Sequence, residues 1–126
     1  MKPIVFIILI FGAQYSFADD PTTRGQRLSM LSTIDDWCGD DWCEGHFEYD
    51  FKKLRCEDSS MTCRVDYLLL GSKGLRLPCF CILKVKTFGD NFVEDNLFSF
   101  LEQMDPCAEA NEAQMWQLEK QVTESN

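Results

Sequence analysis

The sequence predicts a small α+β domain: an N-terminal helix, a three-stranded antiparallel meander, and a C-terminal helix or helix pair packed on one sheet face, the whole stabilised by disulfides. Three observations predict it. Apolar residues recur at helical spacing near both ends of the chain, they alternate with polar ones through the middle, and seven cysteines are spread over these segments.

The first segment is set apart from the fold. Lys2 precedes the apolar run from Ile4 to Phe11, and Ser16-Phe17-Ala18 supplies small residues three positions and one position before a cut, the pattern of a secretory signal peptide over residues 1–18. The run is too short to span a bilayer, and no cysteine near the cut offers a lipid acceptor, so no membrane insertion is expected after its removal. Residues 19–126 are expected to form a single small domain with a frayed C-terminal tail, secreted or periplasmic. Thiols oxidise there, so the cysteines read first as bridges.

Asp20-Pro21 resembles an N-cap followed by a first-turn proline. Leu28, Leu31, Ile34 and Trp37 then recur at about helical spacing, predicting a helix over 21–37. Cys38 to Gly45 is rich in turn formers and ends it. From His46 the period becomes two, with Phe47, Tyr49 and Phe51 on one face. The parity changes after Lys52-Lys53, at Leu54 and Cys56, which predicts a β-bulge at the lysine pair. Glu57 to Thr62 is the turn, and Cys63, Val65, Tyr67 and Leu69 form the second strand. Gly71 to Gly74 is another turn, before a third strand carrying Leu75, Leu77, Cys79, Cys81, Leu83 and Val85. Phe80 and Ile82 make its middle apolar on both faces, which predicts a cover on the second face, and Pro78 predicts an edge position or a bulge. Asn96 reads as the cap of a helix whose apolar face is Leu97, Phe98, Leu101 and Met104, and Asp105-Pro106 reads as a restart that runs to about Gln121.

Six of the cysteines are assigned to bridges. Six residues separate Cys56 from Cys63, which places them directly across the hairpin. Cys38 and Cys43 are expected to bridge, to each other or to the sheet. Cys79 and Cys81 share one strand face, which disfavours a bond between them; Cys107 is a partner for one of them, taken as Cys81. One thiol is left over, with Cys38, Cys79 and Cys81 as candidates.

Catalytic signals are absent from the sequence. There is no G-x-S-x-G elbow, Gly-rich phosphate loop or H-E-x-x-H, and His46 is the only histidine. No catalytic residue, metal site or cofactor is therefore assigned. Beyond residue 18 the chain holds 11 Lys and Arg against 21 Asp and Glu, a formal charge of −10, which disfavours nucleic acid and anionic membranes and suits a cationic protein. The acidic aromatic loop, with Trp37, Asp40, Asp41, Trp42 and Glu44, is the candidate binding surface, since an aromatic anchor in a charged rim is how small binders dock. The expected function is an exported, non-enzymatic binding protein of inhibitor, immunity-like or adaptor type. The alternative is a small redox or metal-binding exported protein using Cys38, Cys43 and His46.

Overall fold

The computed structural model describes residues 19–40, 43 and 45–125. The signal peptide assigned to 1–18 lies outside the described residues, as do Asp41, Trp42 and Glu44 of the acidic loop. The order is helix α1 (Arg24–Asp40), strands β1 (Glu48–Glu57), β2 (Thr62–Leu70) and β3 (Arg76–Lys84), and helix α2 (Phe92–Ser125). The strands form an antiparallel sheet in the order β1-β2-β3, and both helices pack on its inner face.

The first helix begins and ends three residues later than the apolar spacing predicts, because a different residue caps it. Thr23 Oγ1 accepts the Gln26 N–H at 3.1 Å while Gln26 Oε1 accepts the Thr23 N–H at 3.0 Å, a reciprocal capping box. Asp20 faces the sheet instead: its Oδ2 accepts the Cys56 N–H at 2.9 Å and pairs with Arg27 at 3.5 Å. The buried stripe of α1 is Met30, Ile34 and Cys38, so Leu28 and Trp37 of the expected face are left 50 % and 39 % exposed. Packed mainly along β1 and beside α2, the helix buries a narrow stripe rather than a broad face.

The β1–β2 register shifts between Phe51 and Lys53, the expected bulge, and brings Leu54 and Cys56 back to the inner face with Tyr49 and Phe51. Cys56 stands opposite Cys63 and is bonded to it. At the β2–β3 connection Lys73 and Gly74 both take positive φ, 58° and 76°; the second of these suits a residue with no side chain. Strand β3 is an edge with Pro78 opposite Leu68. Gln103 closes that edge further on, accepting the Lys84 N–H at 2.7 Å and donating to the Lys84 carbonyl at 3.0 Å. On the outer face Phe80 and Ile82 stay about half exposed where a cover was expected; Arg64 lies over the Phe80 ring, its guanidinium 4.1 Å from the centroid.

Helix α2 is one continuous helix of 34 residues rather than a pair. Pro106 lies inside it, where its missing N–H leaves the Glu102 carbonyl without the usual helical donor. Buried Met104 and Ala108 on either side, and the Cys81–Cys107 bridge, hold both halves against the sheet. Asn96 is not a cap but a fully buried clamp: Oδ1 accepts the Lys86 N–H at 2.7 Å, and Nδ2 donates to the Thr87 and Phe92 carbonyls at 2.9 and 2.8 Å. The buried face is Phe92, Asn96, Phe100, Met104, Ala108, Met115 and Glu119, and Phe98 points away from it, 66 % exposed.

Candidate functional site

Two aromatic side chains meet on the surface where the end of α1 passes the start of α2. Burial of Ile34 and Cys38 turns Trp37 sideways out of the core, and burial of Asn96 and Phe100 turns Phe98 outward. Their rings lie edge to face, with centroids 5.9 Å apart and planes at 75°. Such a pair contributes roughly 0.5–1.5 kcal/mol beyond its buried area and fixes the rings in one arrangement.

On the two helices that carry the pair, the neighbouring charges have a single sign. Glu94, Asp95 and Glu102 stand four and three residues before and four after Phe98, which places them beside it on the helix surface, and Asp36 adjoins Trp37; all four are exposed. No Lys or Arg occurs from Leu28 to Asp40 or from Phe92 to Leu118. None of these carboxylates has an ion-pair partner among the described residues. Glu94 and Asp95 also complement the N-terminal end of the α2 dipole, which accounts for their position without a ligand. Phe98 has no such structural account: a Phe two-thirds in water contributes little to folding.

Of the residues assigned to this surface from sequence, Trp37 is in the pair and Asp40 is the last residue of α1. Asp41, Trp42 and Glu44 lie outside the described residues. Phe98 was read as core and is the residue that sequence reasoning missed. The signal was present, since a row of Glu94, Phe98 and Glu102 at intervals of four is a polar row and the neighbouring row of Phe92, Asn96, Phe100 and Met104 is the apolar one.

The residues of the redox or metal alternative are engaged otherwise. Cys38 and Cys43 are bonded to each other, and the Cys43 N–H donates to the Cys38 carbonyl at 3.2 Å. Among the described residues, no group of three His, Cys, Asp or Glu is placed to hold a metal. His46 stacks on Trp116 at 4.8 Å, and its Nε2 lies 3.0 Å from Glu119 Oε1. Glu119 Oε2 accepts the Ser72 N–H and hydroxyl at 2.7 and 2.8 Å. A serine, a histidine and a carboxylate therefore meet, but the carboxylate stands between the other two. A nucleophilic triad needs the imidazole between hydroxyl and carboxylate. The cluster is a latch tying the start of β1 and the β2–β3 turn to α2, and the Ser72 N–H, first among its contacts, holds the Glu119 carboxyl below its ordinary range.

The one free cysteine is Cys79, buried opposite Tyr67 with its Sγ 3.4 Å from the Leu77 carbonyl. Burial pushes its thiol up to about 11, so almost none is thiolate at neutral pH. Tyr67, stacked on Tyr49 at 5.4 Å, is likewise pushed up to about 12 by burial. The Tyr49 hydroxyl is raised further, by burial and then by its hydrogen bond to Glu112. Asn111 Nδ2 donates to the Tyr67 hydroxyl at 2.7 Å. These groups form a satisfied polar seam between sheet and α2, not a reactive one.

Three bridges, Cys38–Cys43, Cys56–Cys63 and Cys81–Cys107, are compatible with an exported protein, and no helix among the described residues is long and apolar enough to cross a membrane. No protein-family model, curated protein or solved structure matches the chain.

Proposed function

We propose that this is an exported, non-enzymatic binding protein that docks a cationic protein, as an inhibitor, immunity-like protein or adaptor does, through Trp37 and Phe98. The observation that carries the reading is an exposed edge-to-face aromatic pair whose charged neighbours on its two helices are acidic. Aromatic anchors supply large contact area at small entropic cost, and rim charges steer encounter with a partner of opposite sign. Asp40, Asp41, Trp42 and Glu44 follow Trp37 in sequence with the same acidic and aromatic character and are included in the proposal on that ground.

The test is capture from the native compartment by the wild-type protein and by Trp37→Ala and Phe98→Ala, followed by mass spectrometry and affinity measurement on the captured protein. Each substitution is expected to weaken binding by about 2 kcal/mol, roughly thirtyfold. Neutralising Glu94 and Glu102 is expected to lower mainly the association rate and its salt dependence. A partner held equally by wild type and both aromatic variants refutes the site.

A further inference from the structure

Strand β3 is apolar on both faces. Cys79, Cys81 and Leu83 are buried against the helices, while Pro78, Phe80 and Ile82 point to the outer face and are exposed there, Phe80 and Ile82 by about half. Leu68 and Leu70 of β2 lie beside this row, opposite Pro78 and Arg76, and are partly buried. By strand rise the row from Pro78 to Ile82 is about 14 Å long. Folding does not require it, since threonine at the outward positions would hold the strand as well. Neighbouring exposed apolar residues with a polar border mark a contact surface.

The charges around the row run against the acidic balance of the chain. The outer positions of β2 and β3 hold Arg64, Arg76 and Lys84 against Asp66 alone, and Asp66 is held by Arg64 at 2.9 Å. The acids on the outer face of β1 stand one strand farther away. Arg76 and Lys84 bracket the apolar row at its two ends and have no carboxylate partner among the described residues. Arg64 lies over Phe80 with its Nε on Asp66, so this cation is ordered before any partner arrives. The backbone along the edge of β3 is engaged by α2: Gln103 bonds both the N–H and the carbonyl of Lys84, and Cys107 Sγ lies 3.5 Å from the Phe80 carbonyl. An occupant of this face therefore lies across the side chains and satisfies its own backbone, as a helix does.

We propose that an amphipathic helix of a partner protein, apolar along one stripe and acidic beside it and at both ends, packs across the outer face of β2 and β3. Two neighbouring strands are about as wide as one helix. The apolar stripe meets Leu68, Pro78, Phe80 and Ile82, and the carboxylates meet Arg64, Arg76 and Lys84. Arg76 and Lys84 are about 27 Å apart along β3 by strand rise, a length that a helix spans in about 18 residues. The complex sets a third layer on the sheet, opposite the face that α1 and α2 cover, and gives the two-faced middle of β3 its second cover. The site is separate from the Trp37–Phe98 pair and does not rest on it.

The probe is a fluorescein-labelled peptide of about 18 residues, blocked at both ends, with leucine at helical spacing and glutamate beside it. It is titrated by fluorescence polarisation and followed by amide NMR of the whole protein. Its binding is expected to gain helical circular dichroism, to weaken with salt and to shift the amides of Leu68, Phe80 and Ile82. Ile82→Glu and Lys84→Glu are each expected to weaken it by about tenfold with the native circular dichroism kept, while Phe98→Ala leaves it unchanged. The proposal is overturned if the peptide fails to bind at millimolar concentration, if a counterpart with lysine in place of glutamate binds as well, or if a scrambled peptide of the same composition does. Self-association in sedimentation that Ile82→Glu abolishes overturns it in favour of a second copy of this chain. Adsorption to zwitterionic vesicles that the same substitution abolishes overturns it in favour of a membrane. Capture through Trp37 and Phe98 that survives the loss of peptide binding separates its failure from that of the proposed function.

Discussion

Phe98 and Phe100 are two residues apart on one helix, yet they are expected to respond to truncation in opposite ways. Phe100 is fully buried, so Phe100→Ala removes the transfer free energy of a whole ring and leaves a cavity, a loss of about 3–5 kcal/mol. Phe98 is 66 % exposed, so only about a third of the roughly 2–3 kcal/mol available to a fully buried phenylalanine is at stake. With the edge contact to Trp37 included, Phe98→Ala is expected to cost about 1.5 kcal/mol. Urea unfolding followed by far-ultraviolet circular dichroism reads the difference. At a slope of about 1.5 kcal/mol per molar urea, the midpoint falls by about 1 M for Phe98→Ala and by about 2 M or more for Phe100→Ala. Equal midpoints would refute the helical phase assigned to α2 and, with it, the exposed aromatic pair.

Removing the Cys81–Cys107 bridge by double Ser substitution is expected to cost about 3.5 kcal/mol, against about 2.5 kcal/mol for Cys56–Cys63, because the loops they close span separations of 26 and 7 residues; thermal unfolding of the two variants under non-reducing conditions orders them. The Glu119 carboxyl is held below its ordinary value of 4.5, so the latch contributes fully above that pH and is lost as the pH falls through the depressed value. Urea midpoints measured down through the acid range are expected to fall less steeply for Glu119→Gln than for the wild type. One thiol, Cys79, is expected to be silent toward a thiol reagent in the native protein at neutral pH and to react fully in denaturant; native-state labelling at the rate of an exposed cysteine contradicts its burial.

The fold was legible because its strands are amphipathic. Period two at Tyr49 and Phe51, the parity change at Lys52-Lys53 and Pro78 on an edge each report a local constraint that the backbone must obey wherever the strand packs. The helices were less legible, since their ends and faces depend on neighbours remote in sequence. Asn96 has the side chain of a cap, but the β3–α2 connection at Lys86 and Thr87 recruits it as a clamp. Pro106 would end an isolated helix, and tertiary packing carries α2 through it. At the candidate site Trp37 was found by its acidic neighbours, whereas Phe98 was hidden among Leu97, Phe100 and Leu101, a run apolar enough to disguise which residue faces water.

The placement of Cys79 beside Cys81 bears on how the chain arrives at its register. A strand that slips by one residue exposes its core face and is rejected at once, but a slip by two keeps every side chain on its proper face. On β3 such a slip would exchange Cys81 for Cys79 as the thiol presented to Cys107 on α2. Oxidation can therefore record either arrangement, and only one of them is native. Burial beneath the two tyrosines protects the native choice, because a thiol pushed up to about 11 is a poor attacker of the finished bridge. Before the sheet and α2 have docked that protection is missing, so a Cys79–Cys107 isomer is the misbridged form expected during oxidation, and Cys79→Ser is expected to raise the yield of correctly bridged protein.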